Sequence, residues 1–419
     1  MALVSLINAD RLWTRLTALA EIGATPAGGV NRQALSAGEI AAWRRVIGWA
    51  QEAGLTAATD SAGNLFLTLA GRDRAAPPLL VGSHLDSQPT GGKFDGAAGV
   101  MAALEAVVSF AEGGETPRRD LTVVAWMNEE GSRFAPGMMG SEAFTGARGI
   151  EAIRAVRDAS GISVGEALDR LHATFPDLPR KPLGFVAAAY LELHIEQGPL
   201  LEAADRVIGV VTGIQGKKTF QVVVGGAEGH AGTLPQQERR DAVAAFARMA
   251  AALHAEIGAI DAEIKFTIGR FTVEPNAPSV VPSRVTFSID LRHPDNVVLD
   301  AAGARVAALC HRHAPPCAVT IVPLVDAPSN DFDPRLRERI ARAAHDQGLP
   351  AMAILSAAGH DARHLAKVCP AAMIFIPCRD GVSHVEHEWA EPEHVAAGAS
   401  VLAQVMRDLA FTQSCAAEA

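Results

Sequence analysis

The sequence predicts an α/β protein whose mainly parallel sheet is interrupted by a ferredoxin-like βαββαβ domain. Three observations carry this. Apolar strand-like runs alternate with helical segments over the first half of the chain, which is the pattern of a parallel sheet. From about Gly213 the order changes to strand, helix, two strands, helix, strand, in roughly 115 residues, enough for a self-contained domain. After "DAPSNDFDP" the alternation resumes. The chain therefore divides into a discontinuous first domain, 1–212 and 329–419, and an inserted second domain, 213–328.

The elements follow in order. The N-terminal "MALVSLINADRLWTRL" reads as the start of an amphipathic helix; it lacks the basic and apolar regions of a signal peptide. A helix over 37–53 has a Ser N-cap and a Gly stop. "NLFLTL" (64–69), "PLLVGSH" (78–84) and "DLTVVAWM" (120–127) are strands, with a helix over 95–114 between the last two. The inserted domain starts with the strand "KKTFQVVVGG" and the helix "DAVAAFARMAAALHAEIG". The strands "EIKFTIGRFTVEP" and "SRVTFSIDLRH", the helix "NVVLDAAGARVAALCHRH" and the strand "AVTIVPL" complete it. The first domain then returns with a helix at 334–347, strands at 351–356 and 371–377, and a final helix from about 393.

Composition sets bounds. Of 419 residues, 49% are hydrophobic and 20% charged, as expected of a folded globular chain. The net charge of −10 argues against nucleic acid as a partner. No run of 18 uncharged apolar residues offers a membrane span. The five cysteines (310, 317, 369, 378, 415) are odd in number and form no CxxC pair. They read as reduced, buried thiols of a cytoplasmic protein.

In open α/β sheets, ligands gather beyond the carboxyl ends of the strands. Two loaded segments, "SHLDS" and "NEEGS", follow such ends. His84 enters a loop there, and Asp86, two residues on, is placed to fix its tautomer. Asp95 directly precedes a helix. Taken singly, His84 is a satisfied loop histidine, Asp95 a helix N-cap, and the pair Glu129 and Glu130 a solvated acidic turn. Together they give H-x-D-x(8)-D followed by two acids. His194 in "ELHIEQGP" and His384 in "IPCRDGVSH" end two further apolar segments. This His and carboxylate mixture suits two divalent ions such as zinc, manganese or cobalt.

Here the chain resembles the M20 metallopeptidase-type binuclear amidohydrolases, in the hydantoinase/carbamoylase branch of N-carbamoyl-L-amino-acid hydrolase, β-ureidopropionase and allantoate amidohydrolase. The resemblance is carried by "GSHLDSQPTGGKFDG", "MNEEGSRF", "LHIEQGP", "GHAGTLP", "PNAPSVVP", "SIDLRH", "GHDA" and "GVSH", which run in the family's order from 82 to 384. It implies a metal-bearing catalytic domain interrupted by a lid and dimerisation domain, and a homodimer. By resemblance, Asp95 bridges two divalent ions, zinc first, with manganese, cobalt or nickel as alternatives. One ion also takes His84 and His194, and the other Glu130 and His384. Glu129 is then the general base for a hydroxide shared by the ions. His230 stabilises the oxyanion, from the lid or the partner subunit. Asn276 and Arg292 hold the substrate carboxylate, Gln197 contacts the substrate, and Gly359 and His360 line its pocket.

The implied reaction is hydrolysis of the C–N bond of N-carbamoyl (ureido) acids, foremost N-carbamoyl-L-amino acids, releasing ammonia and carbon dioxide. Allantoate hydrolysis is the alternative. N-acyl amino-acid hydrolysis is a third; peptidase relatives usually carry a carboxylate where His194 stands. A catalytically inactive metal-binding subunit is the fourth, against which the retention of Glu129 beside five ligands argues. Without the resemblance, His230 reads as a turn histidine, Arg292 as a solvated strand-end charge, and Lys217 and Lys218 as a strand edge. Ala357, Leu234, Gln236 and Phe220 depart from the family's usual residues; they bear on the substrate, not the chemistry. The chain carries no G-x-S-x-G, H-E-x-x-H, P-loop or G-x-G-x-x-G.

Overall fold

The computed structural model describes residues 6–411 apart from Glu115. The chain forms two compact units, one running to Gly213 and resuming at Asp331, the other Ile214–Asn330. Its strands are β1 (Thr56–Thr59), β2 (Leu65–Leu69), β3 (Leu79–His84), β4 (Leu121–Trp126), β5 (Ala189–Ile195), β6 (Ile208–Ile214) and β7 (Gly216–Gly225). They continue with β8 (Lys265–Glu274), β9 (Arg284–His293), β10 (Ala318–Ala327), β11 (Asn330–Asp331), β12 (Ala351–Ser356) and β13 (Ala371–Ile376).

The larger sheet has the order β1-β2-β4-β3-β5-β13-β6-β11, with β12 also on β6. Its centre, β4, β3, β5 and β13, is parallel. β1, β2 and β6 pair antiparallel around it. The central strands "LTVVAW", "LLVGSH", "AYLELHI" and "AAMIFI" are buried at every residue. A sheet covered on both faces needs such continuous runs, not alternation. The helix Ala97–Glu112 packs on β3 and β5 and also meets the helices Ala9–Ala20 and Pro392–Ala410. It is apolar almost all round because partners surround it.

The smaller sheet is antiparallel, in the order β10-β7-β9-β8. With the helices Ala242–Glu256 and Asn296–His313 it follows the chain order βαββαβ and has its own core around Val222, Met249, Phe287 and Val306.

Local signals set the helix starts. Ser36 accepts the Glu39 N–H, and Asp241, Asp295 and Asp333 each accept an N–H of the first turn they precede. Asp333 caps Leu336 N at 2.9 Å with Pro334 in the first turn. Asp333→Ala should cost about 1 kcal/mol, read as a lower urea midpoint with unchanged slope.

The structure adds elements that the pattern did not show: β1, β6, β11 and the helices Met139–Thr145, Ile150–Arg154 and Val164–Thr174. "TAAT" is too short to show a period. The last helix did carry a legible signal, the capping box of Ser163 and Glu166. Two details also differ at the site. His84 is the last residue of β3 rather than part of a loop. The helix after Asp95 is preceded by Gly96 as N-cap, with no side-chain cap, so capping is not what Asp95 does.

Cys310, Cys317, Cys369 and Cys378 are free and buried, and burial pushes their thiols up, Cys369 to about 12. They act as small apolar side chains; Cys415 lies outside the described residues. Among the described residues no helix is long and apolar enough to cross a membrane.

Candidate metal centre

The parallel strands deliver the site. β3 ends on His84, β5 carries His194 one residue from its end, and β4 and β13 run out into the turns bearing Glu129, Glu130 and His384. Three of these exits pass through left-handed backbone at non-glycine residues: Asn128 (φ 54°), Gln197 (φ 57°) and His384 (φ 60°). Such conformations cost of order 1–3 kcal/mol each and persist where the surroundings over-determine them. Asn128 shows how: it is fully buried, and its amide donates to the carbonyls of Phe134 at 2.8 Å and Pro136 at 3.3 Å.

Asp95 stands at the centre. Its Oδ1 lies 3.3 Å from His84 Nε2 and 3.1 Å from His194 Nε2, and its Oδ2 lies 3.2 Å from His384 Nε2. His384 Nε2 is also 3.3 Å from Glu130 Oε2, and Glu129 Oε2 is 3.6 Å from His84 Nε2. Two groups result, His84–Asp95–His194 and Asp95–Glu130–His384, each with donor atoms within 4.8 Å of one another. Glycine at 96 makes room for the first. Its φ is 62°, and a Cβ there would fall 2.4 Å from the His84 ring.

The imidazoles are oriented from behind. His84 Nδ1 faces the Asp86 carbonyl at 3.0 Å, and His194 Nδ1 faces the Ile195 carbonyl at 2.8 Å. Protonated Nδ1 atoms donating there leave both Nε2 lone pairs turned towards Asp95. Asp86 thus meets His84 through its backbone. Its carboxylate sits 3.6 Å from that ring and instead accepts the N–H groups of Glu129 (3.1 Å) and Glu130 (3.2 Å). Gln88 grips the Glu130 carboxylate from both sides, through its backbone N–H at 3.1 Å and its amide at 2.7 Å.

These residues fit a divalent metal. Asp95, Glu129 and Glu130 are buried or nearly so, and the groups facing them at ion-pair distance are imidazoles. Among the described residues, the buried His84 Nε2 has no hydrogen-bond partner. Three imidazole nitrogens and two carboxylates form a donor set suited to borderline ions. Burial, with Asp361 and Glu130 adding to it, pushes Glu129 well above the usual carboxylate range. Burial and the Asp95 charge push Glu130 up to about 7. The hydrogen bond to Asp95, joined by the Glu130 charge, outweighs burial and lifts His384 to about 9. Burial works against charge on Asp95 too, but the His194, His384 and His84 imidazoles around it hold it well below its ordinary value.

The other expected residues fall in two places. Gln197 donates its amide to Asp95 Oδ2 at 2.8 Å and lies beside His384. His360 is buried with its ring 4.5 Å from that of His194, and burial pushes it well below the usual imidazole range; Gly359 beside it leaves room for Met138. His230, Asn276 and Arg292 belong to the second unit. His230 is exposed and accepts the Gly232 N–H at 3.0 Å. Arg292 presents its guanidinium to Asp290, at 2.8 and 3.2 Å. Asn276 follows the Glu274 end of the β8–β9 pair, whereas Arg292 pairs with Lys265 at the other end, about 27 Å away along the strand. Residues not singled out from the sequence, Gln88, Ser383 and Glu388, touch the cluster; only their closeness in the chain to His84 and His384 could have flagged them.

A protein from Rhizobium meliloti named N-carbamoyl-L-amino-acid amidohydrolase is 41% identical over 94% of this chain and 95% of its own length. An allantoate amidohydrolase of Bacillus subtilis is 33% identical over 94% and 96%. The crystal structure of an amidase of the hydantoinase/carbamoylase family from Burkholderia vietnamiensis superposes with a TM-score of 0.89 at 40% identity, covering 98% of this chain and all of that one. The profile of Peptidase family M20/M25/M40 matches residues 80–408, and the chain belongs to that family.

Proposed function

We propose that this protein is a metal-dependent amidohydrolase that cleaves the C–N bond of N-carbamoyl-L-amino acids. The observation that carries the reading is the Asp95 carboxylate, one oxygen facing His84 and His194 and the other His384, with the Glu129 carboxylate alongside. His84, Asp95 and His194 would hold one divalent ion, and Asp95, Glu130 and His384 a second, with zinc as first choice. Bound there, such ions would polarise the ureido carbonyl and bring the pKa of a water from 15.7 towards about 7.

The chain's own residues do the rest. Glu129 takes the proton of the attacking water and passes it to the departing nitrogen. Asp86 holds the backbone of both glutamates, so Glu129 can move a proton while Glu130 stays fixed. His360, neutral and buried, and Gly359 line the substrate side of His194. His230 donates to the developing oxyanion. Asn276 and Arg292 bind the substrate carboxylate. They stand at opposite ends of one strand pair, so closing both on one small acid calls for a homodimer with one of them from the partner subunit. Attack at the ureido carbon breaks its C–N bond and ends in ammonia, carbon dioxide and the free amino acid. The buried thiols suit a cytoplasmic location.

The test is a substrate panel. Chelator-stripped protein reloaded with zinc, manganese, cobalt or nickel is given N-carbamoyl-L-amino acids, β-ureidopropionate, allantoate and N-acetyl amino acids, and ammonia or free amine is measured. N-carbamoyl-L-amino acids should give the highest kcat/KM. A higher value for allantoate transfers the reading to that substrate. Turnover of N-acetyl substrates alone removes the carbamoyl assignment, and no turnover with metal bound leaves a metal-binding subunit.

A further inference from the structure

Glu388 comes from the segment after His384, and 294 residues separate it in the chain from Phe94. Its side chain is buried, with 2% of the residue exposed. Among the described residues, its carboxylate's hydrogen bonds lie at or beside the residue shared by the two donor groups. Oε1 accepts the N–H of Phe94 at 3.0 Å and of Asp95 at 3.1 Å. Oε2 accepts the hydroxyl of Ser383 at 2.7 Å, and that hydroxyl lies 3.0 Å from Asp95 Oδ2. The space is made for it. A Cβ at Gly92 would fall 2.0 Å from Glu388 Oε1, so only glycine fits there.

We infer that Glu388 is the positioning residue of Asp95. One of its oxygens pins the Asp95 backbone, and the other holds the Ser383 hydroxyl, whose one proton lies between Oε2 and Oδ2, the oxygen that faces His384. The helix start needs this. The N–H groups of Phe94 and Asp95 stand ahead of the helix, outside its hydrogen-bond ladder, and buried there they need an acceptor from elsewhere. A buried carboxylate supplies it to both and draws Asp95 towards the segment that bears His384. Among the described residues Ser383 and Gln197 both touch Oδ2, whereas Oδ1 faces the two strand-borne imidazoles. The control is therefore one-sided: it acts on the Asp95–Glu130–His384 group more than on the His84–Asp95–His194 group.

The inference rests on the binuclear reading above, and the experiment separates the two. Chelator-stripped wild type, Glu388→Ala and Glu388→Gln are titrated with Zn2+ against a chromophoric chelator, and bound zinc is counted by atomic emission. Wild type should bind two ions per chain; one or none defeats the binuclear reading itself. In Glu388→Ala one site should weaken 10- to 100-fold, the range for lost supporting contacts around a ligand, while the other keeps its wild-type affinity. Glu388→Gln keeps an oxygen for the two N–H groups but cannot accept from Ser383, so the same site should weaken by less. If Glu388→Ala does not fold, Glu388→Gln decides alone: selective weakening supports the assignment. Unchanged affinities, or equal weakening of both sites, overturn it.

Discussion

Glu129→Gln should lower kcat by about 10²- to 10⁴-fold, about 3–5 kcal/mol of transition-state stabilisation, while metal content stays at the wild-type level. The amide is isosteric and keeps the Glu129 N–H on Asp86, so the turn does not change. What disappears is the ability to take a proton. KM should change little, because the Glu129 carboxylate faces His84 Nε2 and no substrate-carboxylate group. The adjacent Glu130→Gln is the control. That side chain reaches His384 and is gripped by Gln88, so its change should reduce bound metal first and kcat as a consequence. A kcat for Glu129→Gln within tenfold of wild type would remove the base assignment.

Asp95→Asn should abolish activity and leave less than one metal ion per chain, because one carboxylate faces both donor groups. An amide offers one oxygen and no charge where the proposed sites would use two oxygens and a negative charge. A second signature appears in the metal-free protein. The His384 imidazole, lifted to about 9 chiefly by its hydrogen bond to Asp95, binds its proton more tightly folded than unfolded. Its contribution to stability is complete below its ordinary 6.5 and is lost as pH rises through about 9. Asp95→Asn should move the His384 titration down towards 6.5 in an NMR titration and flatten the fall in stability across that window. A His384 titration left near 9 would show that another group, such as Glu130, holds the proton.

How legible was this in the sequence? Most of the clustered residues were, because they follow strands of recognisable apolar composition and α/β sheets gather chemistry at those ends, whereas Asp95 precedes a helix. The alternation of strands and helices was equally plain, since every central strand is a mostly apolar run and most long helices begin at a Ser or Asp cap. Asp86 was only half legible. Its place two residues after His84 suggested a partner for the imidazole, but which atom reaches which group depends on the turn after β4. The short elements β1 and β11 had no period to read. Glu388 was invisible: four residues after a histidine in an acidic stretch, it looks like one more surface charge.

By itself the sequence determined which side chains are present, which lie at strand ends, and that a separate βαββαβ segment is inserted between two parts of one sheet. Those properties are local, set by periodicity, capping and composition over fewer than about twenty residues. Only the tertiary structure decided that Asp95 faces both donor groups, that Asp86 holds the two glutamates, and that Glu388 reaches back across 294 residues to the start of a helix. Such contacts depend on how the packed layers bring distant segments together, and a buried carboxylate takes whichever unpaired N–H and hydroxyl groups that packing leaves within its reach.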